Sequence, residues 1–144
     1  MKVLFGCDPN AVEMKNDLMK VAEKLGCEVV DMGSEDPIYA NTAIAVAEAV
    51  AAGKGDRGVL VCTTGVGMSV TANKIPGIRC ALLSDLMSAR LTREHNDSNI
   101  VALGQGVVGE KLALEIVDTF LATPFSNGDR HIRRIAKLSA LEQK

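Results

Sequence analysis

Tryptophan is absent, tyrosine occurs once and phenylalanine three times, too few flat side chains to build a stacking platform for single-stranded nucleic acid. An excess of either charge is lacking too. The 16 Lys and Arg against 18 Asp and Glu leave a formal charge of -2, which gives no global field for recruiting a polyanion. Only two histidines accompany four cysteines, and Cys7, Cys27, Cys62 and Cys80 show no CxxC spacing, so no metal site is expected. Four free thiols suit a reducing cytoplasm. No run approaches the roughly 18 apolar residues that span a bilayer, and Met1 leads straight into Lys2-Val3-Leu4-Phe5 without a targeting segment, so no membrane association is expected. What remains, 47% hydrophobic and 24% charged, is the composition of a soluble globular domain that buries roughly two-thirds of its unfolded surface. No repeat, low-complexity tract or linker divides residues 1–144, so one domain is expected.

The apolar pattern alternates between short β-rich runs and longer helical stretches, the signature of an α/β domain on a parallel sheet. Five strands are predicted at Lys2–Gly6, Glu28–Asp31, Gly58–Cys62, Arg79–Leu83 and Ile100–Leu103. Their runs are mostly continuous, as expected for strands covered on both faces. Ala11, Met14, Leu18, Val21 and Leu25 mark one face of a first helix that Gly26 stops. Further helices are predicted at about 37–52, 67–74, 85–95 and 107–122, and a C-terminal one at 130–142. Right-handed crossovers then give a doubly wound five-stranded parallel sheet, whose ligands bind where the carboxyl ends of strands meet helix N-termini.

The third strand runs into Cys62-Thr63-Thr64-Gly65-Val66-Gly67, which places Cys62 at that ligand edge. The two glycines permit a sharp turn whose N–H groups, with those of Thr63 and Val66, converge on an anion, and the same field favours a thiolate at Cys62. The alternative is a buried cysteine on an ordinary glycine turn. Gly104, Gly106 and Gly109 spell GxGxxG, yet only 35 residues follow and none forms a convincing further strand, so a dinucleotide site is not expected. Gly65-Val66-Gly67 with Asp85 about twenty positions on lacks the third glycine of that fingerprint. Asp8 precedes Pro9 as N-cap before N1, and Asp36-Pro37 repeats the arrangement; Asp8 also lies at the edge where Cys62 emerges. His95-Asn96 ends the fourth helix, where an imidazole can simply face the helix dipole. Arg130 and Arg134, four apart on the last helix beside Arg133 and Lys137, suit a phosphate as well as they suit a solvated basic face.

Taken together, Gly6-Cys7-Asp8, Cys62 to Gly67, Ala72-Asn73-Lys74, Gly77-Ile78-Arg79, His95-Asn96-Asp97 and Arg130-His131 with Arg134 resemble the ribose-5-phosphate isomerase B and galactose-6-phosphate isomerase family. The resemblance covers nearly the whole chain. It implies a Rossmann-like homodimer, sometimes paired into tetramers, with active sites shared between subunits, and metal-free, cofactor-free interconversion of aldose and ketose phosphates through an enediolate. It also implies that Cys62 is the base moving a proton between two carbons, that His95 assists ring opening and that Thr64 shuttles a proton to substrate oxygen. Amides of Thr63, Thr64, Gly65, Val66 and Gly67 would form the anion hole, Asp8 and Asn96 would hold hydroxyls, and Arg130 with Arg134 would hold the phosphate.

The sequence departs from the ribose-5-phosphate pattern at the rim. Pro9 replaces a histidine, Gly106 stands where many relatives have arginine, Thr63 where many have glycine, and Glu35-Asp36-Pro37-Ile38 replaces Asp-Tyr-Pro-His. The resemblance therefore implies the reaction class, with ribose 5-phosphate/ribulose 5-phosphate as the default pair and a tetrose, hexose or 6-deoxyhexose phosphate as the alternative. A phosphate- or nucleotide-binding module without catalysis is a different class, and a mere binder would need neither Cys62 nor His95. A third reading is a subunit that lends His95 and the arginines to a paralogous chain.

Overall fold

The continuous runs Val3-Leu4-Phe5, Val59-Leu60-Val61 and Ile100 to Leu103 are buried along their length because both faces of each strand are covered. Alternation sorts them. Val3, Phe5, Cys7, Val59, Val61, Val101 and Leu103 face one layer, whereas Leu4, Leu60, Cys62, Ile100 and Ala102 face the other. The computed structural model describes residues 1–143. Its elements are β1 (Lys2–Cys7), a 3-10 turn (Pro9–Ala11) leading into α1 (Val12–Lys24), β2 (Glu28–Asp31), α2 (Tyr39–Ala51), β3 (Arg57–Cys62), α3 (Val66–Ala72), β4 (Cys80–Leu82), α4 (Leu86–Asn96), β5 (Ile100–Gly104), α5 (Glu110–Ala122) and α6 (Asp129–Leu141).

All five strands are parallel, in the order β2-β1-β3-β5-β4, as the doubly wound reading expects. Residues of α1, α4 and α5 pack on the first face, those of α2 and α3 on the second. Fully burying a side chain such as Phe5 or Leu60 contributes roughly 1.5–3 kcal/mol. The order reverses between β1 and β3, whose following helices α1 and α3 lie on opposite faces. Their loops diverge there, which opens a crevice at the carboxyl edge.

Most expected boundaries shift by a residue or two, and three of the shifts have a clear local reason. The helix expected from Val107 begins at Glu110, because the amides of Val107 and Val108 both turn back to the Gly104 carbonyl. The helix expected from Pro37 begins at Tyr39. Asp36 is not its N-cap: its Oδ1 accepts from Ile38 N at 2.8 Å and its Oδ2 from Asn41 Nδ2 at 3.0 Å, and Ile38 is the capping residue. The fourth strand shrinks to Cys80–Leu82, since Arg79 gives its N–H to the Asn99 side chain. Asp8 does cap as expected, accepting from Asn10 N at 2.9 Å with Pro9 next in line. Gly26 closes α1 at φ 84°, a left-handed conformation that glycine adopts without strain.

Lys15 on α1 is buried, and its Nζ donates to both carboxylate oxygens of Asp31 at 2.8 and 2.9 Å. Asp31 Oδ1 also accepts from Gly33 N at 2.9 Å, and the Gly33 carbonyl accepts from Cys7 N at 3.2 Å. The segment leaving β2 is thus tied to α1 and to the end of β1. By contrast α6 lies outside the layered body against α4, with His131 as its one buried residue. Among the described residues no helix is long and apolar enough to cross a membrane.

Candidate active site

Cys62 ends β3 beside the end of β1, on the crevice that the topology opens. A cavity of about 270 Å³ there is lined by Asp8, Tyr39, Cys62, Thr63, Thr64 and Gly67. A larger one of about 520 Å³ at the same edge carries Glu35 and Asp36 beside the Lys15-paired Asp31, and the two carboxylates without a cation would repel a phosphate. The smaller cavity gathers the candidate residues Asp8, Cys62, Thr63, Thr64 and Gly67.

Gly65 shapes it. Its φ of 80° reverses the chain, and a Cβ there would lie 2.6 Å from Leu82 Cδ1 and 2.8 Å from the Leu103 carbonyl carbon, so no other residue fits without displacement. The reversal aims Gly65 N–H at Cys62 Sγ, 3.1 Å away, a donor placed to hold negative charge on sulfur. Val66 N donates to Thr64 Oγ1 at 3.2 Å. Among the described residues the N–H groups of Thr63 and Thr64 have no partner, which leaves them for a ligand. Asp8 spends Oδ1 on its cap and keeps a second carboxylate oxygen for the cavity.

Two other thiols, Cys7 and Cys80, lie in surroundings that oppose a thiolate. Burial, with smaller effects of the Asp8 and Asp31 charges opposed by Lys15, pushes Cys7 up to about 11. Burial pushes Cys80 up to about 12. Cys7 also faces the α1 layer while Cys62 faces the α3 layer, so the sheet separates the two sulfurs.

The GxGxxG segment has a role other than nucleotide binding. A Cβ on Gly104 would sit 2.5 Å from the Thr64 carbonyl, and Gln105 N and Gly106 N donate to the carbonyls of Cys62 and Thr63, each at 2.8 Å. The glycines let the loop after β5 brace the cysteine loop. Two departures at the rim meet here: a Cβ on Gly106 would lie 3.1 Å from Thr63 O and 3.3 Å from Thr63 Cγ2. The sequence reading missed Tyr39, whose ring packs over Gly67 so closely that a Cβ there would come within 2.5 Å of the phenol oxygen. The signal was the only tyrosine of the chain, at the start of a helix on the ligand edge.

His95, Asn96, Arg130 and Arg134 do not line this cavity. Helix α4 runs back from the carboxyl edge, so its last residues emerge where β5 begins. The turn after it bonds to the opposite end of β3, through Gly58 N to Asn99 O at 2.9 Å, on the order of 13 Å of strand from Cys62. Asp97, at φ 47°, stops the helix. Arg79 Nε and Nη2 donate to the carbonyls of Asn96 and Asp97 at 2.8 and 3.0 Å. Buried Arg93 donates to Asp97 Oδ1, Ser98 O and Thr123 O at 2.9, 2.7 and 3.0 Å. The His95 ring stacks on His131, with Arg130 and Arg134 exposed on the same turns of α6. The residues that the resemblance assigns to one site shared between subunits therefore fall into two separate groups within a single chain.

Residues 3–138 match the Ribose/Galactose Isomerase family. The chain belongs to that family. Among its ribose/galactose isomerase relatives, ribose-5-phosphate isomerase B of Escherichia coli is 43% identical, over 99% of this chain and 97% of the relative. D-erythrulose-4-phosphate isomerase of Pectobacterium atrosepticum is 37% identical over 89% and 87%. The structure of ribose-5-phosphate isomerase B from Clostridium thermocellum superposes with a TM-score of 0.94 at 44% identity, covering 99% of this chain and 98% of that one. This likeness fixes the isomerase family and the α/β fold together.

Proposed function

We propose that this family member interconverts an aldose phosphate and its ketose through an enediolate, with ribose 5-phosphate and ribulose 5-phosphate as the substrate pair. The carrying observation is Cys62 at the crevice, with an N–H on its sulfur and two unpartnered amides beside it. A carbon acid needs a base held at the α-proton and donors where the oxygen gains charge. On this reading Cys62 carries the proton between C1 and C2, and Thr64 relays a proton between the substrate oxygens. Of the amides from Thr63 to Gly67, those of Thr63 and Thr64 are free to bear the developing negative charge, while those of Gly65 and Val66 engage Cys62 Sγ and Thr64 Oγ1. Asp8 and Asn96 hold hydroxyls, His95 opens the sugar ring, and Arg130 with Arg134 clamps the phosphate bidentately.

We further propose that a second copy completes each site. A chain that carries base and clamp at opposite sheet edges cannot apply both to one small substrate. A partner related by a two-fold axis would bring its His95 half to the Cys62 half of the first chain, and the same contact would build a second site. Val66, Val70 and Met87 are exposed apolar side chains on α3 and α4, the composition that such a contact buries.

Tetrose, pentose and hexose phosphates, assayed with solvent-hydrogen incorporation into product, test the reading. Ribose 5-phosphate should turn over fastest, and Cys62→Ala should lose turnover and incorporation while still binding sugar phosphate. Near-parental turnover by Cys62→Ala would sink the assignment. Faster turnover of a tetrose phosphate would keep the reaction and replace the substrate, an outcome that the altered rim and the erythrulose-phosphate relative both make worth the assay.

A further inference from the structure

The one buried side chain of α6 is polar. His131 lies face to face with His95, ring centroids 4.3 Å apart and planes inclined by 13°. An aliphatic residue would seal that position at lower desolvation cost, so the flat ring calls for an explanation beyond filling space. The surroundings hold it in place: His131 N donates to Gly128 O at 3.0 Å, and a Cβ on Gly128 would stand 3.1 Å from His131 Cδ2. Ser126 ties the same segment to the last turn of α4, its Oγ donating to the Glu94 carbonyl at 2.6 Å and its N at 3.3 Å. Glu94 immediately precedes His95. The contact between the rings is thus pinned from both helices.

Charge fits the same purpose. Burial, followed by the neighbouring His95 and the guanidiniums of Arg130 and Arg134, holds His131 below the ordinary histidine range. That shift favours the uncharged form, and the flat ring gives His95 a face to stack on. Arg130 precedes His131 and Arg134 follows it by three residues, so the ring under His95 and both guanidiniums sit on successive turns of one helix.

We propose that His131 is a positioning residue, a platform that fixes the His95 imidazole relative to Arg130 and Arg134 so that ring opening is aligned with the held phosphate. The proposal rests on the reading of His95 as the ring-opening group. It makes the spacing between ring oxygen and phosphate a property of α6, and so ties acceptance of a cyclic sugar to a residue that touches none of it.

The test separates ring opening from proton transfer. Ribose 5-phosphate closes through its C4 hydroxyl, whereas ribulose 5-phosphate has its C5 oxygen esterified and no hydroxyl left to close a furanose. Net conversion of ribose 5-phosphate needs ring opening; exchange of the C1 hydrogen of ribulose 5-phosphate with deuterated solvent needs only the base. His131→Ala should lower kcat/KM for ribose 5-phosphate by about tenfold or more and change the exchange rate by less than about twofold. His131→Phe, which restores a flat ring, should recover most of the loss. If Ala impairs folding, His131→Leu fills the space without a planar face and should behave as Ala is expected to. Parallel loss of both readouts, no loss in either, or a Phe variant no better than Ala or Leu would overturn the proposal. His95→Ala in the same pair of assays tells the two readings apart. Selective loss there but not in the His131 variants defeats this inference alone, and no selective loss there defeats the assignment of His95.

Discussion

At Thr63 and Gly106 two departures from the family pattern turn out to be one. The resemblance marks each as a separate departure, yet in this fold a threonine methyl stands 3.3 Å from where a Cβ on Gly106 would be. A side chain added at Gly106 must displace Thr63, so the two positions couple. Gly106→Arg alone should lower both thermal stability and turnover, Thr63→Gly alone should do little, and the pair together should recover the part of the loss due to the methyl, the Thr63 carbonyl at 3.1 Å remaining in place, with a coupling on the order of 1 kcal/mol. Additive effects in thermal melts would show that the loops adjust independently. The residue scale is also where the sequence was least legible. Cys62, Asp8 and the glycine turn could be placed from a strand end and a helix start, which are local. Tyr39 over Gly67, His131 under His95 and the meeting of Thr63 with Gly106 join segments 28 to 43 positions apart or on separate helices, and no periodicity records such contacts.

Elements were more legible, because burial on both faces of a parallel sheet writes itself as continuous apolar runs. At Pro37, Val107 and Arg79 the boundary moved because a side chain or a glycine turn took up a backbone group that the periodic pattern assigns to helix or strand. The Lys15 and Asp31 pair shows what an unpatterned contact contributes to an element. Burial raises the Asp31 carboxyl, but the Lys15 hydrogen bond, the Gly33 amide and the Lys15 charge outweigh it and hold the group below the ordinary aspartate range. A depressed carboxylate stabilises the fold above its unfolded value, about 3.9, and that contribution fades as pH falls through the lower folded value. Asp31→Asn should therefore destabilise at neutral pH by on the order of 2 kcal/mol, less than a fully buried pair because Asp31 is open to water. In acid titrations followed by urea melts, the gap between variant and parent should close below about pH 4. A gap of constant size down to pH 2 would mean that the charge of Asp31 contributes nothing.

For the whole molecule, the decisive fact is the separation of the Cys62 half from the His95 half along the length of the sheet. If a two-fold pair completes the sites, inactive Cys62→Ala and His95→Ala chains, mixed in equal amounts and allowed to exchange, should regain about a quarter of parental turnover, since random pairing makes half the dimers mixed and each mixed dimer has one intact site. Dilution below the dimer dissociation constant should abolish turnover in the parent. Continued activity of a monomer, or no recovery after demonstrated exchange, would place base and clamp in the same chain after all.

That separation also bears on inheritance. If two copies complete each other's sites, base and clamp at opposite ends of the sheet mean that a lesion in one half of one copy, paired with an intact copy, spoils the site to which that half contributes and spares the other. Two duplicated copies could each discard a different half and still form one working centre between them. From then on neither copy could be lost, although nothing about the chemistry had changed.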